Sequence, residues 1–138
     1  MAQSSQAETS TTTGYRVLIV EDEVLLGIDI QTMLGRAGYD VVGPLRTIAS
    51  ALSAVKWGKI DVALLDLNLS GEMSYVVADA LVAKAIPFII MSGYSKDSVP
   101  ERYRQHPALP KPFLEPQLVE TLQQVFNEPD RARSVGAD

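Results

Sequence analysis

A chain of 138 residues with a net charge of −5 has room for one ordinary α/β core, and its acidic balance argues against a nucleic-acid backbone as main partner, because phosphate binding needs clustered Lys and Arg. It carries no cysteine, which excludes disulfides and thiolate metal sites and fits a reducing cytoplasm. No apolar run approaches the roughly 20 residues of a membrane span, and Met-Ala-Gln-Ser-Ser-Gln at the start has neither the basic nor the apolar stretch of a signal peptide.

Residues 1–14 are rich in Ser, Thr and Gln and predict a disordered lead, since they bury too little surface to offset their ordering entropy. The first strand is expected at Val17-Leu18-Ile19-Val20, a short apolar run of the kind buried on both faces of a sheet. A helix follows from about 23 to 37, with Leu25, Ile28, Thr32 and Leu34 to Ala37 on its apolar face and Gly38 as its stop. Val41-Val42 marks a second, shorter strand. Ile48, Leu52 and Val55 mark a second helix ending near Gly58, with Trp57 as a packed helix end. Val62-Ala63-Leu64-Leu65 gives a third strand, and Val76, Val77, Ala80, Leu81 and Lys84 a third helix before Pro87. Phe88-Ile89-Ile90-Met91 gives a fourth strand. Beyond it only about 95–105 has a chance of being helical, with Pro100 confined to a first turn, so a short or irregular helix is expected there. Arg102, Tyr103 and Arg104 read as a solvated face and His106 as an exposed loop residue. Ala108-Leu109 is the weakest strand, ahead of the extended Pro110-Lys111-Pro112. A last helix carries Leu118, Leu122, Val125 and Phe126, with Pro116 in its first turn. The folded unit is then 15–127, followed by a flexible tail over 128–138. Strands and helices that alternate in this way imply a doubly wound, five-stranded parallel sheet with helices on both faces.

In such sheets, sites form at the carboxyl ends of the strands. The first run ends in Glu21-Asp22-Glu23, the third in Asp66, the fourth in Ser92-Gly93, and the last leads to Lys111. Carboxylates gathered at one edge repel and need a cation. With oxygen donors and neither thiolate nor imidazole, Mg²⁺ suits them. A carboxylate nucleophile, a metal and a Lys to meet growing charge together make a place for phosphoryl transfer. Each residue also has a plainer reading: Asp66 as a strand-end cap, Glu21 to Glu23 as acids favoured near a helix start, Ser92 as a turn residue, Lys111 as a solvated loop lysine. Glu23 fits the plainer reading best.

In this order and on these elements, Glu21-Asp22, Asp66, Ser92 and Lys111-Pro112 resemble the receiver domain of two-component response regulators (a flavodoxin-like, CheY-like fold) over essentially all of 15–127. The resemblance implies roles. Asp66 would accept a phosphoryl group from a phosphohistidine on a sensor histidine kinase or phosphotransfer protein. Asp22 would ligate Mg²⁺ directly, Glu21 would act near the metal through water, and Asn68 would lend its backbone carbonyl. Ser92 would hydrogen-bond the phosphoryl group and Lys111 would pair with Asp66. The Lys111–Pro112 bond would be cis. Asp-Leu-Asn-Leu-Ser-Gly at 66–71 and Pro-Phe-Ile-Ile-Met-Ser-Gly-Tyr at 87–94 further resemble the atypical "FAT GUY" receivers, with Ser92 where Thr is usual. That subgroup lacks the usual switch aromatic three positions before the Lys, where this chain has Ala108, and leaves Tyr94 as a candidate switch residue.

No second domain is expected, so output would be protein binding or feedback on the kinase, with no enzymatic activity beyond the domain's own phosphorylation and dephosphorylation. No membrane or nucleic-acid partner is expected, and a cytoplasmic location is. A phosphate sink and a non-phosphorylated pseudo-receiver that only binds remain open, as does a fragment of a hybrid kinase. A flavodoxin-type cofactor binder is disfavoured by Glu-Asp-Glu where a phosphate loop would need Ser, Thr and Gly. An aspartate-nucleophile phosphatase is disfavoured by Asn68 where a second acid would serve as proton donor.

Overall fold

The computed structural model describes residues 13–93 and 99–127. The lead expected to be disordered (apart from residues 13 and 14), the tail expected to be flexible and Tyr94 lie outside the described residues. In chain order the elements are β1 (Arg16–Val20), α1 (Val24–Arg36), β2 (Asp40–Leu45), α2 (Ile48–Trp57), β3 (Val62–Asp66), β4 (Asn68–Leu69), β5 (Glu72–Met73), α3 (Tyr75–Ala83), β6 (Phe88–Ser92), a 3₁₀ turn (Glu101–Tyr103), β7 (Ala108–Pro110) and α4 (Glu115–Asn127). The main sheet has five parallel strands in the order β2-β1-β3-β6-β7, and β4 pairs with β5 as a separate antiparallel hairpin. This is the flavodoxin-like, CheY-like architecture.

Alternation along the strands splits the apolar residues between two cores. Leu18, Val20, Ala63, Leu65, Phe88 and Ile90 face α2 and α3. Val17, Ile19, Val62, Leu64, Ile89 and Met91 face α1 and α4 through Ile30, Leu34, Leu118 and Leu122. Burial on both faces is what the unbroken β-branched and leucine runs anticipate.

Local chemistry sets the helix ends. Gly38 takes φ 92 just beyond α1, where a left-handed residue ends a helix at no steric cost. The Thr47 hydroxyl accepts from Ser50 N–H and caps α2. At the other end of α2, Lys84 Nζ donates to the carbonyls of Val55 and Lys56 at 3.0 and 3.1 Å.

Several sequence expectations need correction. On α1 the buried stripe is Gly27, Ile30 and Leu34, while Leu25, Ile28 and Thr32 are exposed. An apolar residue is therefore not proof of the buried face. Val76 is likewise exposed, and Ala78 takes the buried place beside Val77 and Leu81. Trp57 is not a packed helix end: it is 77% exposed, with Lys56 Nζ 5.0 Å from its ring centroid. Tyr103 is not on a solvated face: it is 2% exposed, stacks on Tyr75, and its hydroxyl donates to Asp79 Oδ1 at 2.6 Å. His106 is half-buried and stacks on Phe88 with ring centroids 4.1 Å apart. The short or irregular helix expected within 95–105 agrees with the 3₁₀ turn Glu101–Tyr103, entered directly from Pro100, which is what the described residues of that segment carry. Tyr103 packs that turn against Tyr75 and Asp79 of α3.

Candidate functional site

The parallel register brings the carboxyl ends of β1, β3, β6 and β7 to one edge of the sheet. Asp66 is the last residue of β3 and Ser92 the last of β6; Glu21 and Asp22 follow β1 directly, and Lys111 follows β7. Buried strands deliver these side chains into a cavity bordered by Asp22, Asp66, Asn68, Ser92 and Lys111. Every residue predicted for the site lies in this cluster. The lining includes Glu23, whose plainer reading is an acid near a helix start, and Leu67, Met73, Met91 and Val99, to which the sequence does not point.

Lys111 is the centre of the cluster. Its Nζ donates to Asp66 Oδ2 at 2.9 Å and to Glu21 Oε1 at 3.1 Å, and Glu23 Oε2 stands 4.0 Å away. Its side chain is 13% exposed. Burial pulls the ammonium's pKa down, but hydrogen bonds to Asp66 and Glu21 and their charges outweigh it, and the net shift is upward. Lys111 thus stays charged. Its backbone N–H also donates to Ser92 O at 2.7 Å, which fixes the two strand ends against each other. The Lys111–Pro112 bond is cis.

Asp66 is 6% exposed and its acceptors are divided. Oδ1 accepts from Asn68 N–H at 2.9 Å, Oδ2 from Lys111, and the backbone carbonyl from Ser74 Oγ at 2.7 Å. Ser74 is fully buried and was not anticipated. The sequence offered one signal, a serine just before a helix. That suggests a cap, but its side chain makes no cap bond and ties the end of β3 instead. Asn68 Oδ1 accepts from Gly71 N–H at 2.7 Å, so its side chain closes the β4–β5 turn. Glu23 is the residue before α1 and makes no side-chain cap bond.

Glu21 is fully buried, and its Oε2 accepts from Glu23 N–H at 3.0 Å. Burial pushes its pKa up to about 7; the Asp66 charge adds to this, and the Glu23 N–H and Lys111 oppose it. A cation at this spot would relieve that cost. Glu21, Asp22 and Asp66 each offer a carboxylate oxygen, and the three oxygens lie within 4.8 Å of one another. An all-oxygen, acidic donor set that one ammonium does not neutralise fits Mg²⁺.

Known proteins resemble the chain in the same terms. The family model "Response regulator receiver domain" matches residues 17–123. The transcriptional regulatory protein PdtaR of Mycobacterium tuberculosis is 30% identical over 112 residues, which cover 78% of this chain and 55% of PdtaR. The chain spans about half the length of the curated relatives it matches first. The solution structure of SdrG from Sphingomonas melonis Fr1 superposes with a TM-score of 0.74 at 41% identity, covering 82% of this chain and 97% of SdrG. A BeF₃-activated conformation of SdrG from Pseudomonas melonis Fr1 superposes with a TM-score of 0.71 at 39% identity, covering 83% and 98%.

Proposed function

Since the chain belongs to the response-regulator receiver family, we propose that it is a single-domain response regulator that takes a phosphoryl group onto Asp66 from a sensor histidine kinase or phosphotransfer protein. The observation that carries this reading is the Lys111 ammonium held between Asp66 and Glu21 in a cavity that also holds Asp22 and Ser92. An Asp66 carboxylate oxygen attacks phosphorus, an O–P bond forms, and the N–P bond to the donor imidazole breaks. Lys111 keeps its contact with the new acyl phosphate and balances the added charge. Ser92 supplies a hydroxyl to a phosphoryl oxygen. Glu21, Asp22, Asp66 and the Asn68 carbonyl are the residues that would hold Mg²⁺. When bound, it neutralises charge shared by the carboxylates and the phosphoryl oxygens.

SdrG supports the single-domain reading, since this chain covers 97% of it. Its BeF₃-activated conformation supports a phosphorylatable site, because BeF₃ is a phosphoryl mimic. Ala108, three positions before Lys111, and the 3₁₀ turn Glu101–Tyr103 support membership of the "FAT GUY" subgroup. Output would be phosphorylation-dependent protein binding or feedback on the kinase in the cytoplasm. No described helix is long and apolar enough to cross a membrane.

The test is intact mass after incubation with a small acyl-phosphate donor, with and without Mg²⁺, beside Asp66→Asn. The expected result is a Mg²⁺-dependent gain of one phosphoryl group that the variant lacks. No gain from this donor or from a cognate kinase would leave a pseudo-receiver whose function is binding.

A further inference from the structure

One side-chain contact joins the β4–β5 hairpin to the segment that leads into α1, and the phosphoryl chemistry proposed above does not use it. Ser70 Oγ donates to Asp22 Oδ2 at 2.5 Å, across 48 positions of sequence. Ser70 makes this contact from the two-residue turn of the hairpin, where it takes φ 55 and Gly71 takes φ 90. A turn with two positive φ angles favours Asn, Asp or Gly at its first position. Serine is a poor choice for the backbone there, and its hydroxyl is what it adds.

The direction of the contact matters. Asp22 borders two cavities: the strand-end cavity shared with Asp66, Asn68 and Lys111, and a second one shared with Arg46, Thr47 and Ser70. Ser70 borders only the second. Its hydroxyl therefore reaches Asp22 from outside the lining of the strand-end cavity. With Oδ2 held by Ser70, Asp22 has a second carboxylate oxygen, and the residue offers one oxygen to the group it forms with Glu21 and Asp66.

We propose that Ser70 is a positioning residue for divalent-cation binding, fixing the Asp22 carboxylate from outside the strand-end cavity so that its second oxygen meets the cation together with those of Glu21 and Asp66. The proposal rests on the reading of those three carboxylates as a cation site. A carboxylate already held by a hydrogen bond loses less freedom on ligating, and removal of such outer partners weakens metal binding. The same bond ties the cavity rim to the metal ligand, because Asn68 and Met73, paired across the hairpin, both border the strand-end cavity.

The experiment is titration calorimetry of the full chain with Mg²⁺ alone, on wild type and on Ser70→Ala, Ser70→Gly and Ser70→Asn, with a metal-free melting curve for each. Ser70→Ala and Ser70→Gly are expected to bind Mg²⁺ roughly tenfold to a hundredfold more weakly. Ser70→Gly suits the turn better than serine, so its metal-free Tm should equal or exceed that of wild type. A loss of affinity without loss of stability then separates positioning from folding. Ser70→Asn tolerates the left-handed conformation and carries a donor, so it should recover most of the affinity. Wild-type affinity in Ser70→Gly would overturn the proposal while leaving the cation site intact. Failure of the wild type itself to bind Mg²⁺ would overturn the cation site and the proposal together.

Discussion

Glu21 is fully buried, and its pKa is raised from 4.5 to about 7, so the metal-free protein should lose stability as pH rises through neutrality. The sign follows from linkage: the folded state holds the Glu21 proton more tightly than the unfolded chain. Its contribution is fully present below pH 4.5 and is lost as pH rises through about 7. With these two values, the raised pKa has cost the fold about 2 kcal/mol by about pH 6 and about 3 kcal/mol by about pH 8, relative to acid pH. The expected loss between them is about 1 kcal/mol, or about 4 °C in Tm for a domain of this size.

Glu21→Gln keeps the shape of the side chain and removes the titration. Urea unfolding followed by circular dichroism, in chelator, at both pH values, gives the four free energies required. The lone histidine, His106, is present in both proteins and cancels in the difference. Wild type should lose about 1 kcal/mol more than Glu21→Gln across the interval. Mg²⁺ should remove most of that excess, and its binding to wild type should tighten with pH, since the cation displaces the Glu21 proton. Parallel loss in the two proteins would refute the reasoning: Glu21 would then be solvated or fully neutralised by Lys111 in the absence of metal.

Three further substitutions test other parts of the structure. Lys111→Met leaves Glu21 and Asp66 buried without their shared ammonium, so the metal-free protein should lose about 3–5 kcal/mol in chemical unfolding, and Mg²⁺ should raise its Tm more than that of wild type. Gly27→Ala would bring a Cβ to 2.9 Å from Pro44 Cγ; overpacking of about 1–3 kcal/mol outweighs the roughly 1 kcal/mol that alanine gains in a helix, and a net loss of about 1 kcal/mol should appear in a urea titration. Tyr103→Phe removes the hydrogen bond to exposed Asp79 but keeps the ring, at a cost of about 1 kcal/mol, whereas Tyr103→Ala should cost about 3–5 kcal/mol; equal effects from the two would mean that the hydroxyl, not the packing, holds the 3₁₀ turn.

The strand-end chemistry was legible because two simple rules converge on it. A buried parallel strand shows itself as an unbroken apolar run, and the residue that breaks the run stands at the sheet edge where sites form. Glu21, Asp22, Asp66 and Ser92 follow from those rules alone, and Lys111 from the Pro-Lys-Pro step beyond Leu109. The helices were less legible. Leu25 and Ile28 mimic a buried face, but α1 sits with Gly27 against Pro44, and that close approach turns the helix so that Ile30 and Leu34 point inward. A glycine carries no apolar signal, so periodicity could not find the face it defines.

What escaped the sequence altogether are polar residues whose partners lie far along the chain. Tyr103 sits between two arginines and looks solvated, yet Asp79 from α3 and the ring of Tyr75 make a place for it in the core. Ser70 and Ser74 look like turn and cap residues, which serine commonly is. In the fold one holds Asp22 and the other holds the backbone of Asp66. Ser70 lies in the turn of the short β4–β5 hairpin and Ser74 directly follows it, so residues 68–74 connect the two acidic residues. Local rules account for the hairpin's turn but not for its purpose. The Asp66 and Asp22 side chains are set by a segment whose own sequence gives no sign of acidic chemistry beyond Glu72, and Glu72 borders only the second cavity.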